Sequence, residues 1–368
     1  MRILEIIPQL DSGGGERFTV DLCNEIAKKN TVKLIVLFPL ENNGFYANEI
    51  SPQVEVVSMN KKLGLDAILP FKIIKEVKRF RPDIVHSHLR AINYIILSAF
   101  INSRIFHCHT VHNTADKEAE GFFSSVLRKF LFKCGFVTPI TISKESHRSF
   151  VDYYHMDAPI IDNGRNIPKS LNVSDSVKKE IDTYRQNNGP RVIINLARLM
   201  EVKRQPLIAK VCRRLQDEGY KFTMLMIGRC ELEEYKNRIE GAKCDFVHIL
   251  GERKNPLEYL SYADGYCLMS SYEGMPISLI EALGTRTIPI CTPVGGIVDV
   301  IESGKNGILA TDLSEDACYH ALKGFLDLSE IELNTMKNNA RKSYEPFSMT
   351  ECANKYEHLY RLQLKSKH

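Results

Sequence analysis

A repeated alternation of short apolar runs with helical patterns constrains the fold of this chain more than any other feature. The first half contains runs typical of buried strands, separated by segments whose apolar residues recur with a period near 3.6: RILEIIPQL, TVKLIVLFP and DIVHSH. Strands separated by helices form parallel sheets with helices on both faces. Because the pattern restarts at RVIINLARL and continues through KFTMLMIG, FVHILG and TIPICT, we predict an α/β protein with two doubly wound, Rossmann-like parallel sheets.

A polar stretch between the two sets of strands predicts the domain boundary. Residues 169–189 are polar and end in Asn-Asn-Gly, a composition typical of loops. We therefore predict a first domain over residues 1–168, a second over 189–345, and a closing helix over 346–368 that packs back toward the first domain. Two facing domains of this type enclose a cleft, and ligands of such sheets lie beyond the carboxyl ends of the strands.

Composition excludes several classes of function. A net charge of +4 over 368 residues is too small to indicate nucleic-acid binding. The ten cysteines include no C-x-x-C pair, so neither a zinc site nor a disulfide framework is indicated. No apolar run reaches the roughly 18 residues of a spanning helix, and the N-terminus is a poor signal peptide. These observations predict a cytoplasmic protein.

A glycine run, DSGGGERF, follows the first strand and opens a helix. Free backbone N–H groups and the helix dipole favour an anion at such a position, so Gly14 and Gly15 are candidates for contact with a phosphate or a sugar. The alternative is a tight turn that needs a positive φ at a glycine. Both interpretations remain open on the sequence.

A pair of cations follows the first strand of the second half, in NLARLMEVKRQP. Arg198 and Lys203 lie five positions apart around the start of a helix. Cations at a helix N-terminus oppose the helix dipole, so we expect an anionic group between them. A guanidinium fork and an ammonium point charge together suit a diphosphate.

The stretch SSYEGMPISLIEAL combines two acids with a helix start. Pro276 is expected at the first helical position, where the missing N–H costs nothing. Glu273 then lies in the loop at the helix mouth beside Gly274, where it suits sugar hydroxyls or positive charge at an anomeric carbon. Glu281 lies inside the helix, where it either accepts a ribose diol or pairs with a nearby lysine or arginine.

Several histidines lie on strands of the first half. His107 and His109 fall on one side of their strand, but no third ligand has matching spacing, so packed or hydrogen-bonded histidines are favoured over a metal pair. The same interpretation applies to His86 and His88. Asp-x-Asp, the motif that holds a nucleotide diphosphate through a divalent ion, occurs nowhere in the sequence, and neither a metal nor another cofactor is predicted.

The acidic stretch and its continuation carry a family resemblance. The segment SSYEGMPISLIEALGTRTIPICTPVGGIVDVI followed by GKNGIL resembles the donor-site signature of glycosyltransferase family four, which comprises retaining enzymes of the GT-B fold. IDNGRN, the GGGE loop and the segment containing Arg198 and Lys203 are similar to other landmarks of that family. The resemblance covers nearly the whole chain.

The resemblance implies roles for individual residues. Arg198 and Lys203 would bind the donor diphosphate, and Glu281 the ribose. Glu273, with the backbone of Gly274 and Met275, would contact the transferred sugar. His112 matches the position of an active-site histidine near that sugar. The predicted catalytic residues are therefore Glu273 and His112, and the predicted donor-binding residues are Gly14, Gly15, Arg198, Lys203, Gly274, Met275, Pro276 and Glu281.

The predicted function is a retaining, metal-independent glycosyltransferase. It would move a hexose from a UDP- or GDP-sugar to a glycan or lipid-linked acceptor during surface polysaccharide or glycoconjugate synthesis. Two alternatives remain: an epimerase that acts on a nucleotide sugar in the same kind of cleft, and a nucleotide-sugar-binding partner without catalysis.

Basic and aromatic residues together suggest contact with an anionic membrane at its inner face. SVLRKFLFKCGF sets Arg128, Lys129 and Lys133 beside Phe130, and its apolar residues exceed what one helix face needs. FKIIKEVKRFRP is also basic, but a sheet-covering helix with a solvated face is the favoured interpretation there.

Overall fold

Two six-stranded parallel sheets organise the chain in a computed structural model that describes residues 1–40, 44–64, 66–118, 121–168, 170–185 and 190–367. The chain divides into two units. Unit 1 comprises Met1–Asn166 together with Phe347–His368, and unit 2 comprises Ile167–Pro346. The predicted fold class, two doubly wound parallel sheets, is confirmed.

Unit 1 contains the first sheet, with strand order β3-β2-β1-β4-β5-β6. Its strands are β1 (Arg2–Ile7), β2 (Thr31–Val36), β3 (Val54–Ser58), β4 (Ile84–His88), β5 (Phe106–Val111) and β6 (Thr138–Thr141). Its helices are α1 (Gly14–Ile26), α2 (Leu69–Phe80), α3 (Ile96–Ile101), α4 (Ala115–Glu118), α5 (Phe122–Lys133), α6 (Lys144–Tyr154) and the closing helix, here called α15 (Met349–Lys367).

The two faces of the unit 1 sheet differ in polarity. Leu4 and Ile6 point to a face packed with aliphatic residues of α2 and α3. Because side chains alternate along a strand, Glu5 points to the opposite face. Tyr356 and Tyr360 of α15 are fully buried beside histidines of β4 on that face. The closing helix thus covers a polar sheet surface of unit 1.

Unit 2 repeats the same strand order around its own first strand, β12-β11-β10-β7-β8-β9. Its strands are β7 (Arg191–Leu196), β8 (Phe222–Ile227), β9 (Val247–Gly251), β10 (Gly265–Leu268), β11 (Ile288–Cys291) and β12 (Ile308–Leu309). Its helices are α7 (Asp175–Arg185), α8 (Gln205–Asp217), α9 (Glu233–Ala242), α10 (Pro256–Tyr262), α11 (Ile277–Gly284), α12 (Ile297–Val300), α13 (Glu315–Leu326) and α14 (Glu330–Ser343).

The polar stretch between the two sets of strands contains a helix. The sequence indicates a pause there, but α7 is helical and buries Val177 and Ile181 within unit 2. Residues 169 and 186–189, which include the predicted domain start at 189, lie outside the described residues.

The strand order places a topological switch point between β7 and β10 in unit 2, where consecutive connections leave in opposite directions along the sheet. The segments that follow these two strands carry six of the eight predicted donor-binding residues, and the other two, Gly14 and Gly15, begin α1 of unit 1. In unit 1 the equivalent switch lies between β1 and β4. Among the described residues, none of the helices combines the length and apolar character that crossing a membrane would require.

Candidate functional site

The segment that follows β7 packs closely against the segment that follows β8. Gly228 has φ +154°, and a Cβ there would lie 1.9 Å from the carbonyl oxygen of Ala197, so only glycine allows this approach. Arg198 follows at once and is exposed. Its side chain makes no hydrogen bond or ion pair to the described part of the chain, so the guanidinium is available to a ligand.

Lys203 lies in a 3-10 turn, Glu201–Lys203, just before α8. Its Nζ donates a hydrogen bond to Glu273 Oε1 at 2.5 Å, and Ser270 Oγ donates to the same oxygen at 2.5 Å. The structure therefore joins two motifs that lie 70 residues apart and that the sequence treats separately. The ion pair orients the Glu273 carboxylate, and Ser270 is a partner that no pattern in the sequence indicates.

The helix mouth after β10 differs from the prediction by one residue. Pro276 is expected at the first helical position, but its ψ of 124° is extended, and α11 begins at Ile277. Pro276 is the N-cap, and its carbonyl accepts from the backbone N–H of Leu279. Tyr266 and Ser278 hydroxyls lie 2.6 Å apart, which attaches the first turn of α11 to β10. The N–H groups of a helical first turn lack intrahelical acceptors, so the mouth suits an anion or a hydroxyl.

A second loop lies against the loop that carries Glu273. Gly296 N–H donates to Gly274 O at 2.6 Å. Gly295 has φ +55°, and a Cβ there would lie 1.9 Å from Glu273 O. This contact fixes the backbone of residues 273–274 from the side, and its signal in the sequence is the Gly-Gly pair of TPVGG.

Burial distinguishes the two predicted acids of unit 2 from its other charged residues. Glu273 and Glu281 are the buried acidic or basic side chains of unit 2 within the described ranges, at 8% and 5% exposure. Met275, between them in sequence, is 4% exposed. Burying a carboxylate is costly unless it has specific partners, and Glu273 has such partners in Lys203 and Ser270.

The glycine loop of unit 1 begins a helix that contains its own acid. The first helical residue of α1 is Gly14, and a Cβ on Gly13 would lie 2.3 Å from Glu16 Oε2, so the Glu16 carboxylate folds back over the helix start. A Cβ on Gly15 would lie 2.9 Å from a methyl group of Leu89. Close packing against Leu89 therefore accounts for Gly15. The Glu16 carboxylate lies at the helix start, where a bound anion would be favoured.

His112 follows β5 and is half-buried. Its Nε2 lies 2.9 Å from Nδ1 of His88, and Nε2 of His88 lies 2.7 Å from Oε2 of Glu5. Both Glu5 and His88 are fully buried. The structure thus places the predicted active-site histidine at the end of a hydrogen-bonded chain, which we call the histidine relay (Glu5, His88 and His112).

Electrostatics define the protonation of the relay. Burial by itself would raise the pKa of Glu5, but the charge and hydrogen bonds of His86 and His88 lower it to about 2. Burial, together with repulsion from His86, lowers the pKa of His88 to about 4. Burial also holds the pKa of His112 well below its usual value. Near neutral pH, Glu5 is therefore ionised and both relay histidines are neutral.

The other histidines of this sheet are hydrogen-bonded, as predicted. His107 Nε2 lies 2.9 Å from Ser98 Oγ, and His109 Nε2 lies 2.9 Å from Glu118 Oε1. Arg128, predicted at the surface, is 1% exposed and donates to the same carboxylate at 3.0 Å. That prediction is wrong, because Glu118 draws the guanidinium into the interior.

Among the described residues, one group of side chains has donor atoms close enough to hold a metal ion. Glu5, His86 and His88 offer ligand atoms within 4.8 Å of one another. His86 Nε2 also lies 2.8 Å from Thr110 Oγ1. Within the described residues, hydrogen bonds account for the ring nitrogens of both histidines and for Oε2 of Glu5, but not for Oε1 of Glu5.

Family comparisons match both halves of the chain. Residues 12–167 match the family described as "Glycosyltransferase Family 4", and residues 176–343 match "Glycosyl transferases group 1". A Campylobacter jejuni relative is 24% identical over 365 residues, which cover 95% of each chain. Its name is "GalNAc-alpha-(1->4)-GalNAc-alpha-(1->3)-diNAcBac-PP-undecaprenol alpha-1,4-N-acetyl-D-galactosaminyltransferase".

Solved structures share the fold. A glycosyltransferase from Rickettsia africae superimposes with a TM-score of 0.84 at 19% identity, covering 99% of this chain and 98% of its own. Anabaena Alr3699/HepE, solved in complex with UDP-glucose, superimposes with a TM-score of 0.78 at 17% identity, covering 98% and 99%.

Two Rossmann-like sheets, with charged and glycine-rich segments at the switch point of the second, define an α/β protein of the GT-B class. The matches to both halves then give its family. The chain belongs to glycosyltransferase family four, as its acidic signature indicates.

Proposed function

We propose that the protein is a retaining glycosyltransferase that takes a hexose from a UDP- or GDP-sugar. UDP is the first candidate, because the structurally similar Anabaena protein was solved with UDP-glucose. The acceptor is proposed to be a glycan or a lipid-linked glycan. The printed activity of the Campylobacter relative, on an undecaprenol-linked saccharide, supports a precursor of a surface polysaccharide or glycoconjugate.

The ion pair between Lys203 and Glu273 is the observation that carries this proposal. It brings an ammonium group and a buried carboxylate together at the carboxyl ends of β7 and β10. A bound diphosphate would attract Lys203 and Arg198, and it would release Glu273 to accept hydrogen bonds from sugar hydroxyls. Positive charge that develops at the anomeric carbon would then be stabilised by the same carboxylate.

Charge neutralisation by the protein supports metal-independent transfer. Lys203 supplies a positive charge beside the loop that leads into α11, and Arg198 supplies a second beyond the end of β7. The N–H groups at the start of α11 add partial positive charge. The leaving diphosphate would be stabilised by these groups. We propose that no further cofactor is needed, and that transfer continues in the presence of a chelator.

A transfer assay with matched variants tests the assignment. We expect release of UDP or GDP from one nucleotide sugar of a panel, coupled to a product that keeps the anomeric configuration of the donor. Glu273→Gln should lower kcat about 100-fold, because charge stabilisation at the anomeric carbon is lost. Asp264→Asn is the control, because Asp264 pairs with Lys337 at the opposite end of β10.

Three results would contradict the proposal. Glu273→Gln with wild-type transfer would remove the assigned role of that residue. Inversion of the anomeric configuration would contradict retention, and loss of activity with a chelator would contradict metal independence. An altered nucleotide sugar formed without any acceptor would instead support an epimerase.

We also propose peripheral contact with an anionic membrane through a patch on unit 1. The patch consists of exposed apolar residues of α3 and α5 and two exposed lysines: Phe100, Ile101, Val126, Phe130, Lys129 and Lys133. The rings of Phe100 and Phe130 stack with centroids 5.8 Å apart, so the two helices contribute to one surface. Exposed aromatic residues beside lysines suit the interface of an anionic bilayer.

Vesicle sedimentation tests the patch. Phe130→Ser should reduce binding to vesicles that contain phosphatidylglycerol, and binding should fall further at high salt. Ile331→Ser is the control, because Ile331 is 80% exposed on α14 of unit 2. Equal sedimentation of both variants with the wild type would contradict membrane contact by this surface.

A further inference from the structure

The histidine relay contains two buried residues to which the proposed transfer assigns no role. Glu5, His88 and His112 come from β1, β4 and the end of β5, which are adjacent strands of unit 1. Glu5 pairs with His86 in the register of β1 and β4, and His88 pairs with Thr110 in the register of β4 and β5. The positions of the Glu5 and His88 side chains are therefore set by sheet backbone, and His112 follows directly after β5.

The environment of Glu5 is unfavourable for a residue that only fills space. Its side chain is fully buried in the middle of an apolar strand, and within the described residues Oε1 has no hydrogen-bond partner. The contacts to histidine converge on Oε2, 2.7 Å from His88 and 3.1 Å from His86. A buried oxygen without a partner is destabilising. A role for the carboxylate in orienting His88 would explain why the chain contains an acid here.

The direction of each hydrogen bond in the relay follows from the acceptor at its inner end. An ionised Glu5 only accepts, so the proton lies on Nε2 of His88. A neutral His88 then has a lone pair on Nδ1, which accepts from Nε2–H of His112 at 2.9 Å. His112 is neutral, so its own Nδ1 has a lone pair. The rings of Phe18 and His112 meet edge-on with their centroids 5.4 Å apart, and this apolar neighbour offers the imidazole no alternative hydrogen bond.

We propose that Glu5 and His88 are positioning residues that fix the tautomer of His112, so that its Nδ1 accepts a hydrogen bond from a hydroxyl group of the sugar substrate. This inference rests on the proposed function for the identity of the substrate. The tautomer itself rests only on the geometry of unit 1. In the opposite tautomer, Nδ1 would carry a proton and would present a donor to the same hydroxyl.

Nitrogen NMR of the histidine rings tests the tautomer directly. In protein labelled with ¹⁵N-histidine, we expect a protonated Nε2 and an unprotonated Nδ1 for His112 at neutral pH. The His112 signals are identified by their absence from the spectrum of His112→Asn. Glu5→Gln replaces the acceptor by an amide that can donate to His88 Nε2. Because the amide can donate as well as accept, the tautomer is no longer fixed, and we expect the His112 proton to be divided between Nε2 and Nδ1 in this variant.

Kinetics supply the second measurement. Glu5→Gln should lower kcat/KM for transfer by about 10-fold to 100-fold. This range is typical when a hydrogen-bond partner that fixes the tautomer and orientation of a ligating histidine is removed. Tyr360→Phe is the matched control. Tyr360 is fully buried on the same sheet face and its hydroxyl lies 2.8 Å from His86 Nδ1, and among the described residues no hydrogen bond joins it to Glu5, His88 or His112. This variant should leave the His112 tautomer and the transfer rate unchanged.

The outcomes separate the relay from the proposed function. A wild-type His112 protonated on Nδ1 would overturn the proposal, and this spectrum is available even if Glu5→Gln does not fold. An unchanged tautomer in a folded Glu5→Gln variant would overturn it too. A changed tautomer with unchanged kcat/KM would overturn the contact with substrate. Absence of transfer by the wild type with every donor is a different result, and it would contradict the proposed function while the NMR spectrum still decides the tautomer.

Discussion

The two units share a strand order but bury different chemistry. In unit 2 the acidic and basic side chains buried within the described ranges are two glutamates beyond β10, and the sheet packs against apolar residues. In unit 1, three glutamates, an aspartate, four histidines, two lysines and three arginines are buried within the described ranges, and six of these side chains are on β1, β2, β4 and β5. One topology therefore accommodates an apolar core with charges at the strand ends, and also a sheet with one polar face.

The comparison distinguishes charged residues that stabilise the fold from charged residues that are available for chemistry. Buried charges of unit 1 have protein partners around them, as Arg128 has Glu118 and a backbone carbonyl. In unit 2, Arg198 is exposed without a hydrogen-bond or ion-pair partner in the described residues, and Lys203 makes one ion pair at the strand ends. Outside the histidine relay, we expect charge removal to lower stability in unit 1, whereas in unit 2 we expect it to lower activity.

The largest effect is expected from Arg128→Met. This change leaves the Glu118 carboxylate without its cation. Burial by itself would raise the pKa of Glu118, but His109 and Arg128 lower it to about 2 in the wild type. Removal of one partner from a buried ion pair costs about 3–5 kcal/mol. Urea unfolding followed by circular dichroism measures the loss. A variant as stable as the wild type would show that the polar face of unit 1 does not depend on this pair.

Lys203→Met should act on catalysis instead. Loss of the cation proposed to bind the diphosphate should lower kcat about 100-fold to 1000-fold in the folded variant, in which Glu273 keeps its hydrogen bond from Ser270. Lys337→Met is the matched control. The two lysines have side chains with 19% exposure, and Lys337 pairs with Asp264 at 2.7 Å at the amino end of β10. Equal activities of the two variants would contradict a functional difference between the two ends of the sheet.

Acid should destabilise unit 1 through the relay. The pKa of His88 falls from an ordinary 6.5 to about 4, so between these pH values the unfolded chain binds a proton that the folded chain does not. Stability is therefore lost as the pH falls from 6.5 to 4, by about 1.4 kcal/mol for each pKa unit of difference. Glu5, with its pKa lowered from 4.5 to about 2, adds a loss below pH 4.5.

Hydrogen exchange read by mass spectrometry checks this pH dependence peptide by peptide, after correction for the intrinsic exchange rate. Peptides from β1 and β4 should lose protection between pH 6.5 and 4 in the wild type. The loss over this window should be smaller in His88→Gln, which cannot titrate. Equal pH dependence in the two proteins would show that His88 does not couple folding to pH.

The smallest effect is expected from Gly295→Ala, which tests the loop contact behind Glu273. A left-handed backbone costs a non-glycine residue about 1–2 kcal/mol, and here the added Cβ must also displace Glu273 O. Gly304→Ala is the control, because Gly304 has φ +82° and open space around it. We expect a larger loss of stability in Gly295→Ala than in Gly304→Ala, and weaker donor binding only in Gly295→Ala, measured by thermal shift with nucleotide sugar. Equal donor binding by Gly295→Ala and Gly304→Ala would show that the loop contact does not affect the proposed donor site.

Local patterns in the sequence account for much of the fold and part of the site. The strand and helix alternation predicts two parallel sheets, because apolar periodicity is a local property of the chain. The short strand Val54–Ser58 is missed by this pattern, since Glu55 and Ser58 interrupt its apolar character and only Val54 is buried. The helix start near Pro276 is predicted to within one residue, because proline chemistry acts on its own neighbours.

The sequence by itself determined the fold class, the family and the residue types after β7 and β10, because these depend on spacing within a few turns of chain. Only the tertiary structure decided which groups meet. Lys203 contacts Glu273 across 70 residues, and His88 contacts Glu5 across 83. Such pairs depend on strand order and register. Glu5 is isolated in an apolar run of the sequence, and it becomes part of a site because β1 lies beside β4.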